Sequence, residues 1–281
     1  MKHGQGSRTA LGAAGHRAAH QALDKGIVFA DPLALALLGE DAEAAIASAT
    51  ERPERRALRL FIALRSRFAE ESAVGAIDQG VRQILVLGAG LDTFAYRLAR
   101  RDGLRVFEVD HPATQRDKRR RLAEARIAEP AHVAYVAHDI ERGSMTEALV
   151  AGGLDPGQRT FALWLGVTPY LTEEAVYATL GALARFSGGV EVVFDYANAP
   201  DAVEDARVRE FHRAMVERLA ASGEPFRCWL DTGELHARAR LLGYAEIEDL
   251  DRAALVARYL PHAPAKPRPG PGGRVVRMAT R

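Results

Sequence analysis

The sequence predicts an α/β protein with a mostly parallel sheet, preceded by an N-terminal helical region. Three observations carry this reading. From residue 83 onward, short apolar segments alternate with helical ones, the pattern of parallel strands joined by crossover helices. The first eighty or so residues are dominated by Ala, Leu, Arg and Glu and carry little strand signal. The strand Gln83-Ile84-Leu85-Val86-Leu87 runs into Gly88-Ala89-Gly90, and the next strand closes on Asp110. A tight glycine turn followed by an acid at the end of the next strand is how such a sheet holds a nucleoside.

The elements follow in order. Residues 17–23 read as a helix. Residues 31–39 have the marks of a complete short one: Asp31 can cap it, Pro32 suits its first turn and Gly39 can end it. A longer helix is expected from about Glu54 to Ile77. Strands are expected at 83–87, 104–109, 131–136, 159–165 and 190–195, with helices notably at 112–128 and 172–186. Thr172 is a suitable cap for the latter, with Glu173 and Glu174 in its positive first turn. A polar helical stretch covers 201–221, and a helix follows Asp231-Thr232. Strands near 244–249 and 274–280 would add an antiparallel edge, and Pro261 to Gly273 reads as a loop. The chain thus divides into a helical cap over 1–80 and an α/β unit over 81–281 with a helical insertion near 197–230, together one structural unit.

The turn discriminates between nucleosides. Glycine at 88 and 90 lets the backbone bend sharply and a ligand approach closely. A dinucleotide fingerprint needs a third glycine three residues on, and Thr93 stands there. Asp92, at the helix entrance, suits the helix dipole but would repel a diphosphate. S-adenosyl-L-methionine carries no phosphate and is compatible with an acidic turn. Asp110 would take its ribose hydroxyls, with Glu108 a second candidate two residues back on the same strand face.

Composition bounds the partners. Thirty-eight basic residues face 37 acidic ones, so no global charge argues for nucleic acid or an anionic membrane. The basic run Arg116, Lys118, Arg119, Arg120, Arg121 falls on a helix without interleaved aromatics and reads as a solvated face. The single cysteine, Cys228, fits a reducing cytoplasm and reads as a small buried hydrophobe. The start lacks the apolar core of a signal peptide, and no apolar run is long enough to span a membrane. His132 and His138 lie across one strand without a third ligand, so no metal site is expected. Oligomeric state is left open between a monomer and a homo-oligomer.

Leu87-Gly88-Ala89-Gly90-Leu91-Asp92-Thr93 with Tyr96-Arg97-Leu98 resembles the cofactor turn of the leucine carboxyl methyltransferase-like family, a branch of class I S-adenosylmethionine-dependent methyltransferases with many bacterial members. Phe107-Glu108-Val109-Asp110-His111-Pro112 followed by Lys118, Arg65-Ser66-Arg67-Phe68, His138-Asp139-Ile140 and the segment Trp164 to Thr172 resemble further family signatures. Arg8-Thr9-Ala10, Arg17-Ala18 and Phe29-Ala30-Asp31-Pro32 resemble its N-terminal helical region. The resemblance implies a Rossmann-like, mostly parallel seven-stranded sheet flanked by helices, with an N-terminal helical cap. It implies that Arg65 grips the methionine carboxylate of the cofactor, Gly88 and Gly90 line it, Asp110 holds the ribose, Asp139 bonds the adenine amino group and Ile140 packs on or donates to the ring. Arg17 would help close the N-terminal helices over it.

The activity implied is O-methylation of a carboxylate or hydroxyl on a small molecule, such as a secondary metabolite. A carboxylate acceptor needs no base, whereas an alcohol or phenol benefits from one. Tyr170, Asp195 and Tyr196, at the carboxyl ends of strands, are the acceptor-pocket candidates, and no catalytic residue is singled out. Leu165-Gly166 stands where the eukaryotic enzymes have a Glu-containing segment, a departure that bears on their substrate, the C-terminal carboxylate of a phosphatase subunit. Two other readings stand beside this one: an NAD(P)-dependent reductase with a degenerate glycine turn, and a non-catalytic cofactor-binding protein of the same fold.

Overall fold

A computed structural model describes residues 8–51, 55–202, 205–221, 225–262 and 273–280. Four helices come first: α1 (Arg8–Leu23), α2 (Pro32–Leu38), α3 (Asp41–Glu51) and α4 (Arg55–Asp78). Then follow β1 (Gln83–Leu87), α5 (Phe94–Arg97), β2 (Arg105–Asp110), α6 (Pro112–Glu124), β3 (Val133–Ala137), α7 (Met145–Ala151), β4 (Thr160–Trp164), α8 (Glu173–Ala184) and β5 (Val190–Ala197). The chain closes with α9 (Ala206–Ala221), α10 (Thr232–Leu241), β6 (Glu246–Asp251), α11 (Arg252–Tyr259) and β7 (Gly273–Ala279).

The strands form one sheet in the order β3-β2-β1-β4-β5-β7-β6. The first five are parallel, and β7 runs antiparallel between β5 and β6. This is the class I methyltransferase sheet implied by the resemblance, with the antiparallel edge expected from the last two strands. Strand order reverses beside β1, which pairs with β2 on one side and β4 on the other. Ligands of open α/β sheets bind outside the carboxyl ends of the strands at such a switch point.

Strand alternation divides the core. One face presents Leu85, Leu87, Phe107, Trp164 and Phe194 to a cluster completed by residues of α7, α8 and α10. The other presents Ile84, Val86, Val106, Phe161 and Val193 to α4 and α11. Near-continuous burial along β1 and β4 is what a sheet covered on both faces requires. Thus α4, which the sequence groups with the cap, also builds this second core through Leu64, Phe68 and Ile77. A third cluster joins Ala14 and Ala18 of α1 to Leu37 and Leu38 of α2.

Local signals act as the sequence suggests. The Asp31 carboxylate accepts from Ala34 N at 3.1 Å and caps α2, and Thr172 Oγ1 accepts from Ala175 N at 3.2 Å and caps α8. Each such cap contributes about 1 kcal/mol. Other boundaries move. The first helix begins at Arg8, well before residue 17, and the helix expected to reach 128 stops at Glu124, where Arg126 turns to φ 56°. The stretch 201–221 splits into a 3-10 turn at Pro200–Ala202 and α9. Helix α7 fills the gap between β3 and β4, as the strand-helix alternation requires, whereas α3 and α11 are additions, α11 having only eight residues, too short for a clear period. Most of the loop expected over Pro261 to Gly273, and the first seven residues, lie outside the described residues. Among those described, no helix is long and apolar enough to cross a membrane.

Candidate functional site

A cavity of about 520 Å³ opens at the carboxyl ends of β1, β2, β4 and β5, with walls from α1, α4 and α9. Its volume is in the range of small-molecule sites. At its centre lies the turn after β1. Gly88 and Gly90 both take left-handed backbone angles, φ 62° and 46°, which L side chains rarely adopt. A Cβ on Gly88 would stand 2.4 Å from Val167 Cγ2, and one on Gly90 would stand 3.0 Å from Ala10 Cβ. The turn is therefore gripped from above as well as bent. Gly90 N donates to Asp110 Oδ2 at 2.5 Å and His111 N donates to Oδ1 at 2.6 Å, joining the ends of β1 and β2. Burial pushes the Asp110 carboxyl above the usual carboxylate range, against the pull of these two backbone donors. Asp92 lines the cavity while its Oδ1 accepts from Phe94 N at 2.8 Å and starts α5.

Arg65 reaches the cavity from α4. Its Nη1 donates to Asp195 Oδ2, and the other oxygen of Asp195 accepts from Gly166 N at 2.5 Å. Gly166 has φ 72°, and a Cβ there would fall 2.9 Å from Arg65 Nη2, so the guanidinium occupies space that a side chain at 166 would need. Arg65 Nε is buried and has no hydrogen-bond partner among the described residues. Leaving a buried donor unmade costs about 1–3 kcal/mol, and more on a charged group, a cost that a ligand acceptor removes. Asp139 and Ile140 line the far end beside His138, whose Nε2 is also buried and unpartnered among the described residues.

The cavity thus brings together Arg65, Gly88, Gly90, Asp92, Asp110, Asp139 and Ile140. Glu108 is a correction. It does not reach the cavity: Lys118 Nζ donates to it at 2.8 Å, Tyr96 Oη donates at 3.2 Å, and both members of the ion pair are almost fully buried. Although Glu108 shares a face with Asp110, it lies one pleat deeper in β2, beneath α6, whereas the cavity opens only at the strand's end.

The three acceptor-pocket candidates separate. Tyr170 lines the cavity with its ring edge-on to Phe226, centroids 5.3 Å apart. Asp195 lines it too, but both its oxygens are engaged by Arg65 and Gly166. Tyr196 borders the cavity, yet its hydroxyl donates to Asp249 Oδ2 at 2.7 Å and lies 3.0 Å from Thr232 Oγ1. Burial also pushes that hydroxyl's pKa up, so Tyr196 serves the β5-β6 region and not proton transfer.

Sequence reasoning passed over two further side chains. His16 of α1 lines the cavity, and its Nδ1 is buried without a partner among the described residues. Burial, then the guanidinium groups of Arg55, Arg59 and Arg65, lower its pKa to about 4, so the ring is neutral at pH 7. His212 of α9 is fully buried, lines the cavity and has neither ring nitrogen bonded among the described residues. Burial lowers its pKa as well. His212 is a lone histidine on α9 and His16 shares α1 with His20, and no spacing in the sequence distinguishes either from a core residue. Arg17, in contrast, is where the resemblance suggests: its Nη2 donates to Leu91 O at 2.6 Å and its Nε to Asp31 at 2.8 Å, tying α1 and α2 to the glycine turn.

The profile of the leucine carboxyl methyltransferase family matches residues 10–184. YktD of Bacillus subtilis (strain 168), whose name ascribes S-adenosyl-L-methionine-dependent methyl transfer to it, is 34% identical over 165 residues, covering 58% of this chain and 54% of that protein. SCO7813 of Streptomyces coelicolor, named in the same way, is 34% identical over 190 residues, covering 64% of each chain. The match thus spans between half and two thirds of the length of these relatives. A Bordetella parapertussis protein, described as a candidate exported protein, has a crystal structure that aligns with a TM-score of 0.52 at 14% identity, covering 96% of this chain and 95% of that one. That likeness bears on the fold alone.

Proposed function

The chain belongs to the leucine carboxyl methyltransferase family, and from that premise we propose that it binds S-adenosyl-L-methionine and transfers its methyl group to an oxygen of a small molecule. The observation that carries the reading is Arg65: a buried guanidinium, oriented by Asp195, that faces the glycine turn's cavity with a donor still unsatisfied among the described residues. A carboxylate completes it, since a planar fork of donors suits that group.

The residues fit the cofactor along its length. Arg65 Nε takes the methionine carboxylate. The turn at Gly88 and Gly90 presents backbone with no side chain in the way, and Asp92 offers negative charge to the ammonium and sulfonium end. Asp110, already fixed by two backbone donors, retains acceptor capacity for the ribose hydroxyls. Asp139, with His138 and Ile140 beside it, receives the adenine. The bound cofactor supplies an activated methyl group, so the hard chemistry is its own. The chain's part is positioning: it holds the acceptor oxygen in line with the methyl carbon and excludes water. Arg17 contributes by holding α1 over the turn. The reductase alternative draws no support, because the third-glycine position holds a buried Thr93 and the Asp92 carboxylate faces the space a diphosphate would need.

Titration calorimetry with S-adenosylhomocysteine, NADH and NADPH tests this. Binding of the first alone, followed by methyl transfer from labelled cofactor, is expected. Binding of NAD(P)H, or none by S-adenosylhomocysteine, would overturn it; cofactor binding without transfer to any supplied acceptor would favour a non-catalytic protein.

A further inference from the structure

Beyond the cofactor section, the cavity continues between α1, α4 and α9. This part is aromatic and apolar. His212, Phe226 and Tyr170 line it; Trp229, outside the lining, packs edge-on to His212 at 5.6 Å and tilts against Phe226 at 5.3 Å, and Phe226 meets Tyr170 at 5.3 Å. Phe61, Ile62 and Met215 add apolar wall. Within it stand two neutral imidazoles, His16 and His212, with buried ring nitrogens unpartnered among the described residues.

Unpaired polar atoms at fully buried positions are rare and destabilising. Two of them on His212, in a chamber whose neighbouring walls are Phe61, Ile62, Met215, Phe226 and Tyr170, call for a largely aromatic ligand carrying one hydrogen-bonding group. The charge of the cavity restricts that group. Among the described residues its carboxylates are Glu70, paired with Arg97, Asp195, paired with Arg65, and Asp92, Asp110 and Asp139 of the cofactor section; its guanidiniums are Arg17 and Arg65. Both guanidiniums are already paired, with Asp31 and Asp195, and Arg65 is assigned to the cofactor. A carboxylate acceptor would thus find both lining guanidiniums already engaged, and could use only the N–H of a neutral imidazole and not its bare nitrogen. A hydroxyl both donates and accepts, and a neutral imidazole answers it with one bare nitrogen and one N–H.

Resting on the methyltransferase reading, we propose that the acceptor is a hydroxyl on a planar aromatic body, and that His212 receives its hydrogen bond and its proton. The acceptor oxygen forms its bond to the methyl carbon as the carbon–sulfur bond breaks. The electron pair stays on sulfur, leaving the neutral thioether. The hydroxyl proton passes to the bare ring nitrogen of His212, which holds it as the imidazolium and gives it up to bulk water after the product has left. His16, kept neutral by burial and the surrounding arginines, lies in the same chamber as the second polar contact.

The test uses a matched pair of probes, 2-naphthol and 2-naphthoate, titrated into the full chain loaded with S-adenosylhomocysteine. The naphthol is expected to bind about tenfold more tightly, the scale of one satisfied buried hydrogen bond. His212→Phe keeps the aromatic packing without nitrogens, and is expected to abolish that preference while S-adenosylhomocysteine affinity stays within about threefold, the spread of a distant site. With S-adenosyl-L-methionine, formation of the naphthyl methyl ether should fall about a hundredfold in that variant, as for loss of a general base. His212→Gln, a polar replacement, covers the case in which the phenylalanine variant does not fold; it should retain most of the binding preference and lose the rate. Naphthoate binding as well as or better than naphthol, or a preference that survives His212→Phe, would overturn the proposal. Failure of S-adenosylhomocysteine to bind the unaltered protein would instead overturn the proposed function.

Discussion

Replacement of Asp195 by asparagine separates two roles that this carboxylate could play. Its position at the end of β5, in the cavity, suits a general base. Its bonds describe a positioning residue: one oxygen accepts from Arg65 and the other from Gly166 N at 2.5 Å. Asparagine has the same shape but only one acceptor atom. Whichever way the amide turns, its NH₂ meets a donor, and one buried group loses its partner at about 1–3 kcal/mol. The Arg65 charge also loses its counter-ion, and breaking a buried pair from one side costs about 3–5 kcal/mol in all. For a chain of 281 residues, with unfolding entropy of about 2 cal/mol/K per residue, this lowers Tm by roughly 5–9 °C. Differential scanning calorimetry of the ligand-free protein measures it, with urea unfolding as a check. S-adenosylhomocysteine should restore part of the loss, because its carboxylate gives Arg65 a new partner. A variant as stable as the parent that has lost turnover would refute the reasoning and return Asp195 to the role of base.

The other expectations concern the turn, the excluded candidate and pH. Gly88→Ala forces a Cβ to within 2.4 Å of Val167 Cγ2 at φ 62°, so a stability loss of at least about 1–2 kcal/mol is expected by thermal unfolding, together with weaker cofactor binding by calorimetry. Asp110→Ala is expected to weaken S-adenosylhomocysteine binding by about 1–3 kcal/mol; unchanged affinity would remove Asp110 from the site. Glu108→Gln breaks the buried pair with Lys118 and should cost about 3–5 kcal/mol of stability while leaving cofactor affinity unchanged, which a ribose ligand could not do. His16 binds its proton near pH 6.5 in the unfolded chain but only near pH 4 when folded. Its contribution is therefore complete above pH 6.5 and is lost as pH falls toward 4. Discounted for partial exposure, it amounts to about 2 kcal/mol. His16→Phe should flatten the dependence of urea stability on pH across that window, and an unchanged slope would contradict a neutral His16.

Some features of this protein were decided within single segments of the sequence. Strands such as Gln83–Leu87 and Val190–Ala197 announce themselves as short apolar runs bounded by turn residues, because a sheet covered on both faces needs apolar side chains on both. Caps at Asp31 and Thr172 are legible because the bond they make spans three residues. The glycine turn and Asp110 are legible because their spacing is set by one β-α-β unit. The tertiary structure decided whatever depends on side chains meeting from distant segments. It buries Glu108 against Lys118 and spares Asp110, a difference of one pleat that the alternation of a strand cannot express. It joins Arg65 to Asp195 across 130 residues, turning an apparent base into a support for the cofactor's anchor. It also gathers His16 of α1 and His212 of α9 around one chamber, since the acceptor's surroundings are built by packing between helices, and no local periodicity records which helices will meet.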